Sequence, residues 1–122
     1  MISGIVLVSH VKEVAEGLEK LIREVAKEVS ITTAGGTEDG DIGTSFDKIS
    51  TAFESNTADE LFAFYDLGSA KMNLEMAMEM TEKKILLQDV AFIEGAYTAA
   101  ALLQAGTSQK DILEQLAPLK IK

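Results

Sequence analysis

The chain holds one histidine, His10, and its setting gives the imidazole chemical meaning. It follows the apolar run Ile5-Val6-Leu7-Val8 and then Ser9, a pattern that predicts a buried parallel strand. From Val11 onward the spacing turns helical: Val11, Val14, Ala15, Leu18, Leu21, Ile22, Val25 and Ala26 share one face. His10 is therefore expected at the C-terminal end of a strand, on the first turn of a helix. Open α/β sheets collect ligands and chemistry there, and helix N–H groups face an approaching anion. A histidine so placed suits a phosphoryl carrier. The competing reading is a satisfied histidine at a helix start.

A nucleophilic histidine needs one ring nitrogen with a free lone pair. A carboxylate on the other nitrogen fixes the tautomer and the ring orientation, and stabilises positive charge on the ring as phosphorus is attacked. Asp66 is the carboxylate placed for this, directly after the apolar run Leu61-Phe62-Ala63-Phe64-Tyr65. Its competing reading is a cap or turn residue. Ser9, Gly36, Thr37, Gly68 and Ser69 complete the candidate phosphate site, with backbone N–H groups around Gly36-Thr37 and Gly68-Ser69 to cradle phosphoryl oxygens. Arg23, the one arginine, lies deep in the first helix. Neutral donors without an arginine clamp suit a carrier that must pass its group on. Each glycine alone is equally well read as turn geometry.

The elements that must position these groups alternate. Apolar runs fall at 4–8, 29–33, 61–65 and 85–88, and helical patterns at about 11–27, 45–55, 69–81, 91–105 and 109–116. The alternation predicts an α/β fold: an open, mainly parallel sheet with helices on both faces. In strand order 2-1-3-4, strands one and three are neighbours at the topological switch point, and His10 and Asp66 face each other across the crevice. Thr44 with Asp47, and Ser108 with Asp111, resemble capping boxes. Gly106 suits a helix C-terminus, and Pro118 a stop. The tail Leu119-Lys120-Ile121-Lys122 is a candidate fifth strand. The loop 35–44 holds four glycines and belongs on the same sheet edge as His10.

The 122 residues suit one domain spanning 1–122, and a 47% hydrophobic content supports a packed core. The absence of cysteine excludes disulfides, thiol nucleophiles and thiolate metal sites. No signal pattern or membrane-length apolar run is present, so a cytoplasmic protein is the simplest reading. The net charge of −9 argues against nucleic acid and anionic membranes as partners. It serves either solubility or the steering of a basic protein partner. Met72, Met76 and Met80 share a helix face, for core packing or, less simply, an interface. The acidic trio Glu38, Asp39 and Asp41 is a solvated loop before it is a cation site, and no metal is expected.

Other chemistries lack their residues. A Rossmann or P-loop motif would replace Ser9-His10-Val11-Lys12. A phospho-aspartate receiver needs acidic residues after strand one. A serine triad needs a second histidine, because Ser9 and His10 are chain neighbours whose side chains diverge.

Val8-Ser9-His10, Ala34-Gly35-Gly36-Thr37, Ile42-Gly43-Thr44, Asp66-Leu67-Gly68-Ser69-Ala70 and Ile93-Glu94-Gly95-Ala96 occur in this order. Together they resemble the DhaM-type phosphotransferase subunits of phosphoenolpyruvate-dependent dihydroxyacetone kinases, which are similar to mannose-family enzyme IIA domains of bacterial sugar transport. The resemblance implies a homodimer whose His10 accepts a phosphoryl group from the carrier HPr. It implies ADP as acceptor, held on the nucleotide-binding subunit of the kinase, and no cofactor on this chain. Some family members carry further phosphotransferase domains; a chain ending at Lys122 is expected to use separate carriers. The sugar-transport branch usually has a glycine pair after the strand-three aspartate, where this chain has Gly68-Ser69-Ala70, a departure that favours the kinase branch. A mannose-type IIA domain serving a sugar permease and a non-catalytic anion-binding module are the alternatives.

Overall fold

The computed structural model describes residues 2–122. Strands β1 (Ser3–Ser9), β2 (Ile31–Gly35), β3 (Glu60–Tyr65) and β4 (Lys84–Gln88) alternate with helices α1 (Lys12–Ile22), α2 (Phe46–Ser55), α3 (Lys71–Met80), α4 (Phe92–Gln104) and α5 (Gln109–Leu116), the last two following β4 in succession. The sheet order is β2-β1-β3-β4 and all three strand pairs are parallel, as the alternation predicts. Val8 pairs with both Ala34 and Tyr65, and Ser9 with Gly35. The three strand ends are thus level, and the residues after them meet on one edge.

Strand residues point alternately to opposite faces, and this builds two cores. Ile5, Leu7, Phe62 and Phe64 pack against Leu18 and Ile22 of α1, Ala96, Ala99 and Ala100 of α4, and Ile112 and Leu116 of α5. Val6, Val8, Leu61, Ala63 and Tyr65 face Ile49, Ala52 and Phe53 of α2 and Leu74 and Ala77 of α3. Each large apolar side chain so buried contributes roughly 1.5–3 kcal/mol of transfer free energy. The central strands that lead into His10 and Asp66 therefore form a closely packed base.

The differences from the sequence reading have local causes. The first helix ends at Ile22 rather than near 27, because the next residue turns back: the Arg23 guanidinium donates to Val29 O at 2.7 Å and Ile31 O at 3.3 Å. That clamp fixes the approach to β2, which begins at Ile31 rather than 29. The N-cap of α2 is Ser45, not Thr44; its Oγ accepts the Lys48 N–H at 3.1 Å, while Thr44 Oγ1 accepts from Asn73 Nδ2. Ser108 does cap α5, through the Asp111 N–H. Gly106 closes α4 with φ +81° and the paired bonds Thr107 N–H to Leu102 O and Gly106 N–H to Leu103 O.

The methionine stripe is not core. α3 buries Leu74 and Ala77, in line with Ala70 just before it, so Met72, Met76 and Met80 lie on the opposite side, 72%, 48% and 75% exposed. After Leu116 the chain makes a single 3₁₀ turn, Ala117–Leu119, with Pro118 inside it. The tail forms one antiparallel bridge, Lys120 to Val90, rather than a fifth strand. Among the described residues no helix is long and apolar enough to cross a membrane.

Candidate functional site

β1 ends at Ser9 and α1 starts at Lys12 with Val11 as its cap, so His10 sits just outside the helix rather than on its first turn. Its backbone is held on two sides. The His10 N–H donates to Asp66 Oδ2 at 3.0 Å, and its carbonyl accepts the Gly43 N–H at 2.9 Å. The loop 36–43 therefore folds back onto the histidine it was expected to adjoin.

Asp66 follows β3 and is the centre of the site. Its Oδ1 accepts from His10 Nδ1 at 2.9 Å and from the Leu67 N–H at 2.7 Å. Its Oδ2 accepts from the Ser9 hydroxyl at 2.8 Å as well as from the His10 N–H. Burial alone would raise this carboxyl. The bonds from the His10 backbone and ring, from Ser9 and from Leu67 outweigh it and hold Asp66 below the ordinary carboxylate value. An ionised carboxylate only accepts, so Nδ1 carries the ring proton in the neutral imidazole and Nε2 bears the lone pair. The Ser69 hydroxyl lies 2.7 Å from Nε2 and donates to it. The histidine and aspartate side chains are 15% and 18% exposed, whereas Ser69 stands exposed at the rim. The lone pair thus faces outward, covered by the Ser69 hydroxyl.

The other candidate residues divide. Gly68 and Ser69 open the 3₁₀ turn that leads into α3, where neither N–H has an acceptor among the described residues, so both remain available to a phosphoryl oxygen. Gly36 and Thr37 are used differently. The Gly36 N–H donates to Ser9 O of β1 at 3.1 Å and the Thr37 N–H to Asp41 O within the loop at 2.9 Å, so backbone carbonyls take both. The φ of +74° at Gly36 makes that turn against β1 possible. Ser9 is fully buried; its hydroxyl orients Asp66 and accepts the Val11 N–H, away from the rim. Two contributors carried no sequence signal. One is the backbone N–H of Leu67. The other is Lys122, whose ammonium donates to the carbonyls of Tyr65 and Asp66. Glu38, Asp39 and Asp41 are exposed.

A family model described as EIIA-man, PTS system fructose IIA component, matches residues 4–113. The chain belongs to this family. Within it, the IIA chain is 56% identical over 122 residues to the phosphotransferase subunit DhaM of a PTS-dependent dihydroxyacetone kinase from Lactococcus lactis subsp. lactis, covering 100% of this chain and 99% of that one. It is 51% identical over 119 residues to the phosphoryl donor subunit DhaM of PEP-dependent dihydroxyacetone kinase 1 from Listeria innocua serovar 6a, covering 98% and 96%. A crystal structure described as that of the unknown function protein EF1359 matches with a TM-score of 0.86 at 30% identity, over 100% of this IIA chain and 98% of its own. The resemblance carried by Ser9-His10 and Asp66-Leu67-Gly68-Ser69-Ala70 extends over the whole chain.

Proposed function

We propose that this chain carries a phosphoryl group on His10 Nε2, taking it from the phosphohistidine of HPr and passing it to ADP held on the nucleotide-binding subunit of a dihydroxyacetone kinase. One observation carries the reading: Asp66 holds the Nδ1 side of the ring while Nε2 faces the rim. The two DhaM relatives, matched along nearly their full length, support the choice of acceptor.

The step balances as a displacement at phosphorus. The Nε2 lone pair attacks the phosphorus of the donor phosphohistidine; the donor's P–N bond breaks and its electron pair returns to the donor nitrogen. The proton on Nδ1 stays in place, and Asp66 stabilises the positive charge the ring acquires. Ser69 Oγ–H, released from Nε2, turns to a phosphoryl oxygen, which the N–H groups of Gly68 and Ser69 also face. In the second step a β-phosphate oxygen of ADP attacks the same phosphorus, and Nε2 leaves with its lone pair restored. Neutral donors hold the phosphoryl group without an arginine clamp, which favours onward transfer.

In this reading the nucleotide stays on the partner. Ile42, Leu67 and Met72, 79%, 59% and 72% exposed on the elements around His10, supply an apolar rim for protein partners. In-line transfer brings donor and acceptor to the same face of one imidazole, so the two compete and each complex is transient. The homodimer of the resemblance finds support in β4, an edge strand whose Ile85, Leu86 and Leu87 are only half covered. A cytoplasmic working place belongs to the same reading.

The family model's own description favours a second reading, a IIA component serving a sugar permease. The acceptor separates the two. The protein phosphorylated by HPr is offered the ADP-loaded kinase subunit or a permease-associated IIB domain. ATP formation with the first, lost in His10→Gln, is expected. Transfer to the second alone selects the permease. A protein that takes no phosphoryl group but binds inorganic phosphate is an anion-binding module instead.

A further inference from the structure

The tail after α5 reaches back across the sheet edge. Lys122 Nζ donates to Tyr65 O at 2.7 Å and to Asp66 O at 3.0 Å, and lies 4.5 Å from the centroid of the Tyr65 ring. The segment is anchored independently of that side chain. Ala91 N–H donates to Leu119 O, Lys120 bridges Val90, and the N–H groups of Ile121 and Lys122 both donate to Asp89 O. Asp89 is itself fixed: its Oδ1 accepts the Tyr65 hydroxyl and pairs with Lys71 Nζ at 3.2 Å. A lysine docked this way has already lost much of the rotamer freedom that makes surface lysines poor contacts.

We infer that Lys122 is a positioning residue for the proposed phosphoryl transfer, clamping the two peptide units that carry Asp66 and so holding the carboxylate on His10. The two carbonyls it binds belong to the peptides on either side of the Asp66 Cα. The N–H of the first, Asp66 N–H, donates to Val8 O; the N–H of the second, Leu67 N–H, donates to Asp66 Oδ1. An ammonium on a carbonyl polarises the whole peptide unit and strengthens its N–H as a donor. Lys122 thus acts on Asp66 from behind, touching neither the ring nor the carboxylate oxygens that hold it. The ammonium also places a positive charge beside Asp66 in a chain of net charge −9. Burial lowers the Lys122 pKa, while the charges of Asp66 and Asp89 oppose that loss. This role rests on the carrier reading of His10.

The test compares the wild-type chain with Lys122→Met, which keeps the stem and removes charge and donors, and with Lys122→Arg. The readouts are thermal midpoint, kcat and KM for phosphoryl uptake from phosphorylated HPr, and the His10 Nδ1–H resonance. Lys122→Met is expected to lower kcat about tenfold, the scale seen when partners orienting a reactive ligand are removed, with KM changed less than about twofold. Its Nδ1–H resonance should broaden or vanish, and Lys122→Arg should restore most of both. A lower thermal midpoint with unchanged kcat and resonance overturns the inference. If Lys122→Met does not fold, Lys122→Gln takes its place with the same readouts. A wild-type protein that takes no phosphoryl group defeats the carrier reading; the resonance alone then decides on Lys122, and its persistence in the variant overturns the clamp.

Discussion

Asp66 binds His10 twice, through the ring at 2.9 Å and through the backbone N–H at 3.0 Å, one contact on each carboxylate oxygen. The aspartate thereby fixes the position of the residue as well as the tautomer of its ring. Ser9 and Leu67 donate to the same two oxygens, so all the donors converge on a group that must stay an acceptor.

Asp66→Asn tests that convergence. An amide nitrogen cannot accept, so two of the donors lose their partner whichever way the side chain turns. Phosphoryl uptake from HPr should fall by on the order of a hundredfold or more, measured by rapid-quench kinetics, while far-ultraviolet circular dichroism keeps the α/β signature. An uptake rate within a few-fold of wild type would remove Asp66 from the proposed mechanism.

The same bonds make stability depend on acid. The folded Asp66 carboxyl lies below its ordinary value of 3.8, so its contribution is fully present above that value and is lost as pH falls through the folded one. Asp89 is shifted the same way: burial opposes, but the Tyr65 hydroxyl and Lys71 prevail, so it adds to the same window. Denaturant midpoints should therefore fall below about pH 4, and less steeply in Asp66→Asn and Asp89→Asn. Parallel acid profiles for wild type and both variants would contradict this.

Ser69→Ala separates covering the lone pair from holding the phosphoryl group. The variant exposes Nε2 but removes a donor to a charged acceptor, a contact worth roughly 1.5–3 kcal/mol. Phosphorylated protein should accumulate about tenfold less at equilibrium with phosphorylated HPr. The His10 Nδ1–H resonance should be unchanged, since the Asp66 side is untouched. Unaltered accumulation would assign Ser69 to the resting state only.

Gly35→Ala probes how the loop edge is built. A Cβ there would lie 2.6 Å from Lys12 Cα and 3.0 Å from Val11 O, both backbone atoms at the start of α1. The start of α1 must shift, at a cost of roughly 1–3 kcal/mol, and His10, two residues before Lys12, shifts with it. Urea denaturation should show the loss and phosphoryl uptake should slow. A variant as stable as wild type would mean that this contact yields freely.

The parallel α/β alternation was legible in the apolar runs, and where those runs stop marks the strand ends that carry His10 and Asp66; their pairing then follows once strands one and three are neighbours. Ser69 was legible through the motif after Asp66. The phosphate role read for Gly36 and Thr37 depended on where backbone N–H groups point. Residue type does not encode that, and here the carbonyls of Ser9 and Asp41 take them. The methionine stripe was misread because a spacing of four fits two faces of α3, and only packing shows that Leu74 and Ala77 face the sheet. Lys122 reaches Asp66 across 56 residues, and no local pattern announces a contact at that separation.

The most direct test of the central claim is nitrogen-15 and phosphorus-31 correlation spectroscopy of the imidazole-labelled protein after incubation with phosphorylated HPr. The account predicts an acid-labile phosphoryl group on His10 with the phosphorus coupled to Nε2 and the proton retained on Nδ1. Phosphorus coupled to Nδ1, or acid-stable phosphate on another residue, would contradict it.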